Sequence, residues 1–319
     1  MIEDIRSAIA GIPYPQRPEG LYEPIAYVMS MGGKRLRPML LLLCYSIFRT
    51  DWQKALPAAT ALELYHNHTL LHDDLMDHAD VRRGKPTVHR RWNENTAILS
   101  GDTMLLLAAQ QMARQRIGRY EEANECFLKS AIGICEGQQY DVNFEKRHDV
   151  TEEEYIEMIR LKTSVLLGCA AKIGALLAGA SDTDCQILYA FAEKIGLAFQ
   201  LQDDCLDCFG NEQTFGKRIG GDILCGKKTF MTVAAMQRME NDAERKRFLD
   251  ILDANADTPE AEIAKIGSVI DIYRKLDIAE VAHTRIQQCY DEARRILLTL
   301  NADTTTLWNY ATSLLGRES

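Results

Sequence analysis

Apolar residues recur every three to four positions over most of this chain, the spacing that gathers them on one face of an α-helix. Period-two runs of β-branched residues, the mark of half-buried strands, are missing. The pattern predicts helices near residues 20–30, 36–49, 54–78, 94–116, 120–144, 152–179, 183–209, 227–240, 243–254, 259–276, 278–300 and 304–315. Proline agrees: six of eight lie before residue 60, and none falls between Thr87 and Thr258, where Ala, Leu, Glu, Gln and Lys are common. Asn93 stands ahead of Glu94-Asn95-Thr96 as a cap, and Thr151 with Glu154 has the form of a capping box. Gly210 to Gly226 breaks the periodicity and reads as a mobile loop. No linker or low-complexity tract divides the chain, so the expectation is one all-α domain over residues 1–319.

Composition narrows the function. With 319 residues, 46% hydrophobic, the chain can bury a large core. A net charge of -9 argues against general nucleic-acid or anionic-membrane binding. Nine cysteines without framework spacing suit a reducing compartment, and Cys205 to Cys208 interleaves with an acidic cluster rather than forming a redox or zinc motif. Met1-Ile2-Glu3-Asp4 lacks the basic start of a signal peptide, and the apolar run Met39 to Phe48 is too short to span a bilayer. The expectation is a soluble, cytoplasmic protein without a stable membrane anchor.

The chemistry is announced by two acidic clusters about 130 residues apart, Asp73-Asp74-Leu75-Met76-Asp77 and Asp203-Asp204-Cys205-Leu206-Asp207, both D-D-x-x-D in apolar helical sequence. On a helix Asp73 lies over Asp77 and Asp203 over Asp207. One such cluster is ordinarily a solvated face. Two, facing each other, would form a carboxylate cage needing cations. Oxygen donors with no His/Cys cluster favour Mg²⁺, completed by water and substrate phosphates.

Four basic elements accompany them: Gly32-Gly33-Lys34-Arg35-Leu36-Arg37-Pro38, Arg82-Arg83-Gly84-Lys85-Pro86, Lys162-Thr163, and Phe215-Gly216-Lys217-Arg218 continuing to Gly226-Lys227-Lys228-Thr229. Each alone would be a surface feature. Together they suggest two diphosphate sites, one bridged by Mg²⁺ to the carboxylates and one held by Arg and Lys. Opposite charges ~4 Å apart at an effective dielectric near about 20 attract by about 4 kcal/mol, enough to hold a polyanion on an acidic protein.

In their order along the chain, Gly33-Lys34-Arg35-Leu36-Arg37-Pro38, Leu70-Leu71-His72-Asp73-Asp74-Leu75-Met76-Asp77, Arg82-Arg83-Gly84 and Phe199-Gln200-Leu201-Gln202-Asp203-Asp204-Cys205-Leu206-Asp207 resemble the motifs of trans-isoprenyl diphosphate synthases, the polyprenyl synthetases. The resemblance implies an isoprenoid-synthase-type helical bundle around a central cavity, usually a homodimer, that joins an allylic prenyl diphosphate to isopentenyl diphosphate and releases pyrophosphate. It implies that Asp73, Asp77 and Asp203 bind Mg²⁺, about three ions in all, with Asp74 and Asp207 as near partners. Arg82, Lys162, Thr163, Gln200, Lys217 and Lys227 would hold the allylic diphosphate. Lys34, Arg37, His66 and Arg83 would hold isopentenyl diphosphate. Asp73, Asp77, Asp203, Lys162 and Lys217 would carry catalysis. The Gly210 to Gly226 loop would be a lid, whereas the C-terminal tail with Arg317 reads as mobile, and the sequence does not decide whether Arg317 closes over the site.

Product length follows from what lies below the metals. His68 and Thr69 stand five and four residues before Asp73, about one turn down, with Tyr65 and Leu62 further along the same face. Short-product relatives often carry a large aromatic at the position of His68, and long-product relatives a small residue. His68 is neither, and the expectation is C20, then C15. A class I terpene cyclase would need no isopentenyl site, a metal-dependent phosphohydrolase would leave the second cluster unexplained, and a non-catalytic partner subunit would be expected to lose motif residues.

Overall fold

The computed structural model describes residues 1–210 and 219–314. Its elements are α1 (Ile2–Ala10), α2 (Tyr22–Ser30), α3 (Leu36–Ser46), a 3₁₀ turn (Trp52–Ala55), α4 (Leu56–Met76), the hairpin β1 (Val81–Arg82) and β2 (Lys85–Pro86), α5 (Val88–Arg91), α6 (Glu94–Ala113), α7 (Tyr120–Phe144) and α8 (Glu152–Ile159). A π-helical turn (Arg160–Ser164) leads into α9 (Val165–Ala178), followed by α10 (Asp182–Phe209), α11 (Gly221–Leu224), α12 (Phe230–Arg238), α13 (Asp242–Leu252), α14 (Pro259–Lys275), α15 (Ile278–Leu297) and α16 (Thr305–Ser313). The all-α expectation holds. The two-residue hairpin is the sole sheet among the described residues, with Val81 opposite Pro86.

The contacts divide the chain into two compact units, Met1–Lys129 with Cys169–Tyr189, and Ser130–Gly168 with Ala190–Ser319. In the first unit α4 is buried on every side from Ala58 to Tyr65, as expected of a central helix, and on one face, Asn67, His68, Leu71 and Asp74, beyond it. Its closest neighbour is α6: a Cβ on Gly101 would lie 2.1 Å from the His72 ring, so any larger residue there would force that ring to move. In the second unit α15 shows the amphipathic spacing most plainly, burying Ala282, Ile286, Cys289, Ala293 and Leu297.

The caps form as the sequence implies. Thr96 N–H donates to Asn93 Oδ1 at 2.8 Å, and Thr151 with Glu154 makes the full capping box. Several features differ from the sequence reading, which leaves α5 and α11 as loop. Helix α1, with Ile5 and Ile9 buried, is too short for its pattern to stand out. The hairpin turns on Arg83 and Gly84, both at positive φ. The helix expected over 152–179 is interrupted by the π-turn, which periodicity does not reveal. That segment, Glu152–Ala178, is long and apolar enough to cross a membrane, more so than Met39 to Phe48, yet 72% of its apolar window is buried within the protein.

Candidate active site

The last turn of α4 carries the first acidic cluster. Asp73 and Asp77 are partly exposed, whereas Asp74 is only 6% exposed. Arg82, reaching back from the hairpin, donates from Nε to both Asp74 oxygens at 2.8 and 2.7 Å. Burial nonetheless holds the Asp74 carboxyl above the usual range, with Arg82 opposing. The Arg82 Nη2 also lies 3.9 Å from Asp73. One cation thus ties the hairpin to the cluster.

A second cationic group of the same unit surrounds Glu63. This carboxylate is buried and ion-paired with Arg35, itself in the left-handed region, and Arg35 Nη2 donates to Met29 O at 3.0 Å. Asn67 Nδ2 donates to Glu63 Oε1 at 3.1 Å. The field of Glu63 also reaches Arg37 and Arg83. Burial lowers Arg37 to about 10, and its Nε is enclosed without a hydrogen-bond partner. Arg83 donates from Nη1 to Gly32 O, and its guanidinium lies 3.1 Å from where a Cβ on Gly33 would be. Gly33, at φ +130°, is the residue this packing requires. His66 is half-buried, and burial with the charges of Arg37, Arg83, Arg82 and Arg35 keeps it neutral, well below its ordinary pKa. Lys34 is exposed just ahead of α3. With Arg35 matched by Glu63, Arg37 and Arg83 remain in excess over acid, which is the electrostatics of an anion site.

Below Asp73, His68 is buried between Tyr65 and His72, with ring centroids 5.4 and 4.7 Å away. Burial, then His72, lowers it to about 4, so the ring is neutral. Tyr65 meets Phe127 edge-on at 5.3 Å. Leu62 is fully buried, and the Thr69 hydroxyl is turned back onto His66 O at 2.8 Å.

The second unit presents the other cluster on α10. Asp203 is partly exposed; Asp204 and Asp207 are buried. Asp204 accepts from the Tyr155 hydroxyl, from Gln200 Nε2 at 3.1 Å and from Phe230 N–H at 3.3 Å. Burial, then Asp222, pushes it up to about 7. Thr163 Oγ1 donates to Gln200 Oε1 at 3.0 Å, so Thr163, Gln200 and Asp204 form one chain. Asp207 Oδ2 accepts from Asp222 N–H at 3.1 Å.

Lys162 and Thr163 stand on the π-turn, where one extra residue per turn re-aims them. Two glycines accommodate it. A Cβ on Gly137 of α7 would lie 2.3 Å from Lys162 N, and one on Gly196 of α10 2.7 Å from Ser164 Cα. Lys162 Nζ lies 2.5 Å from Asp141 Oδ2. Lys227 follows a turn in which its N–H donates to Asp222 O at 2.9 Å. Lys217 and Arg317 lie outside the described residues, as do residues 211–218 of the expected lid, while its remainder contains α11.

Sequence reasoning passed over Glu63, Asp141 and Tyr155. Glu63 had a signal: it is an acid in an apolar helix, three residues before His66. Asp141 and Tyr155 had none, because their partners Lys162 and Asp204 are distant in sequence.

The donors suit Mg²⁺. Among the described residues no three His, Cys, Asp or Glu side chains are gathered as a metal cluster. Asp73 with Asp77 in one unit, and Asp203 in the other, offer few carboxylates each. That is the usage expected of an ion that keeps water and takes substrate phosphates.

The polyprenyl synthetase family model matches residues 18–270. Geranylgeranyl diphosphate synthase of Methanosarcina mazei is 45% identical over 224 residues, 70% of this chain and 69% of that protein. Geranylfarnesyl diphosphate synthase of Natronomonas pharaonis is 38% identical over 283 residues, 83% of this chain and 80% of that protein. The crystal structure of geranylgeranyl pyrophosphate synthetase from Pyrococcus horikoshii superposes with TM-score 0.91 at 32% identity, covering 99% of this chain and 96% of that one. These matches and the all-α architecture define a prenyltransferase of the isoprenoid-synthase fold. The chain belongs to the polyprenyl synthetase family. Neither a cyclase nor a non-catalytic subunit is favoured by these relatives.

Proposed function

We propose that the protein is a Mg²⁺-dependent synthase that condenses isopentenyl diphosphate head-to-tail with an allylic diphosphate, forming an all-trans C20 prenyl diphosphate and pyrophosphate. The observation that carries this reading is the cation group around Glu63, with the buried, unpartnered Arg37 Nε and the guanidinium of Arg83. It supplies an anion site apart from the aspartates, which a condensation needs and a cyclase does not.

Lys34, Arg37, Arg83 and neutral His66 hold isopentenyl diphosphate. Arg82, Lys162, Thr163, Gln200, Lys217 and Lys227 hold the allylic diphosphate, and Asp73, Asp77 and Asp203 take the metal, with Asp74 and Asp207 supporting them. Held by these aspartates, Mg²⁺, about three ions, would supply positive charge to offset that on the leaving diphosphate. Lysines around that group favour cleavage of the allylic C–O bond. The isopentenyl double bond attacks the allylic carbon, and the proton then lost passes to the departing pyrophosphate, a base already in place beside it. Apolar walls keep water from the cation. His68, with Tyr65, Leu62 and Thr69, sets how far the tail extends.

The chain works as one catalytic domain, in the cytoplasm, and as a homodimer. Dimerisation is supported by the exposed apolar face of α6, where Ile98, Leu99 and Leu106 are 45, 59 and 68% exposed. The test is incubation with Mg²⁺, labelled isopentenyl diphosphate and C5, C10 or C15 allylic diphosphates. A discrete C20 product supports the reading; no elongation from any primer overturns it.

A further inference from the structure

Two buried lysines that the proposed reaction does not use converge on the turn that carries Lys227. Lys265 of α14 is 8% exposed. Its Nζ donates to Leu224 O, the last residue of α11, at 3.2 Å, and to Ala254 O, just past α13, at 3.0 Å. One ammonium therefore joins the carbonyl-rich ends of two helices, where positive charge is favoured. Lys228 repeats the device, donating to Gly226 O at 3.2 Å and to Asp253 Oδ1 at 3.4 Å. Residues 224 and 226 are thereby stitched to residues 253 and 254.

The turn leaves little room for slack. Gly226 is at φ +64°, and a Cβ there would contact Leu252 O at 3.5 Å. A Cβ on Gly220 would lie 2.7 Å from Ile266, the neighbour of Lys265, so α14 presses directly on the segment. Lys227 itself is bracketed: its N–H donates to Asp222 O at 2.9 Å, and its carbonyl accepts from Thr232 Oγ1 at 3.2 Å. Asp222 N–H in turn donates to Asp207 of the second acidic cluster. Burying an ammonium for packing alone is unfavourable, because an apolar side chain would fill the same space without desolvating a charge.

We propose that Lys265 is a positioning residue for the allylic diphosphate site: by fixing the carbonyl of Leu224 it sets the path of residues 222–227 and aims Lys227 at the diphosphate. This rests on the role proposed for Lys227. Removing the ammonium loosens that aim while leaving the cation group around Glu63 untouched.

The experiment compares K265M, K265R and the unsubstituted chain. The readouts are KM for farnesyl diphosphate, KM for isopentenyl diphosphate, and affinity for inorganic pyrophosphate with Mg²⁺ by calorimetry. K265M should raise the farnesyl diphosphate KM and weaken pyrophosphate by at least ~10-fold, with the isopentenyl diphosphate KM within about twofold, and K265R should restore most of the loss. A lowered melting temperature with both constants unchanged would make the role merely structural and overturn the proposal. Should K265M not fold, T232V loosens the same turn from its other side; the same selective loss supports the proposal, and unchanged constants overturn it. Absence of condensation by the unsubstituted chain would overturn the reaction itself, whereas unchanged pyrophosphate affinity in K265M would overturn the positioning role alone.

Discussion

Arg82 grips Asp74 with Nε 2.8 and 2.7 Å from the two carboxylate oxygens, while its Nη2 stands 3.9 Å from neighbouring Asp73. Adjacent aspartates of one motif therefore do different work. Asp74→Ala should cost about 2 kcal/mol of stability, toward the low end for breaking such a pair because Arg82 remains partly exposed. Asp73→Ala should leave the urea midpoint unchanged and lower turnover by at least ~100-fold. Equal destabilisation by both, with activity retained in Asp73→Ala, would contradict this division.

Gly33 is where Arg83 gains its place. Alanine there meets the guanidinium at 3.1 Å and is strained at φ +130°. Gly33→Ala should raise the KM for isopentenyl diphosphate by ~10-fold or more and leave that for the allylic substrate nearly unchanged. Steady-state kinetics with each substrate varied in turn checks it, and a shift confined to the allylic KM would place Arg83 on the other substrate.

His68 makes two predictions. Its folded pKa of about 4 lies below the ordinary 6.5, so between those values the unfolded chain binds more protons than the folded one. Stability is whole above about pH 6.5 and is lost as pH falls, by about 3 kcal/mol below pH 4. His68→Leu should flatten that acid dependence, as read from urea midpoints at pH 7 and pH 5. His68→Ala should also lengthen the product; an unchanged length distribution would put the floor elsewhere.

The helices and the aspartate and arginine motifs could be read from the chain because their signals are local: period, caps, and charges four apart on one face. Asn93, Thr151 and Glu154 needed only three residues of context. Glu63 was passed over because its meaning depends on Arg35 and Arg37, brought to it by folding. Asp141 and Tyr155 are set by partners 21 and 49 residues away. The π-turn left no trace because an inserted residue changes hydrogen-bond register, not composition.

Gly137 and Gly196 bear on that turn from two helices. Gly137→Ala places a methyl 2.3 Å from Lys162 N, and the overpacking should cost about 1–3 kcal/mol and lower turnover. Thermal melts alongside kinetics check both. A fully active, equally stable variant would mean that α7 yields without moving Lys162.

The π-turn also sets a trap for engineering. Deleting one residue within 160–164 would let the segment close into an unbroken α-helical ladder, with α8 and α9 free to keep their neighbours. Lys162 and Thr163 would swing by about 100°, off their present bearings. The shortened chain should melt higher and turn over nothing, a stability gain set against function. A library screened for heat resistance alone would drift toward it, so this segment should be held fixed in any such search.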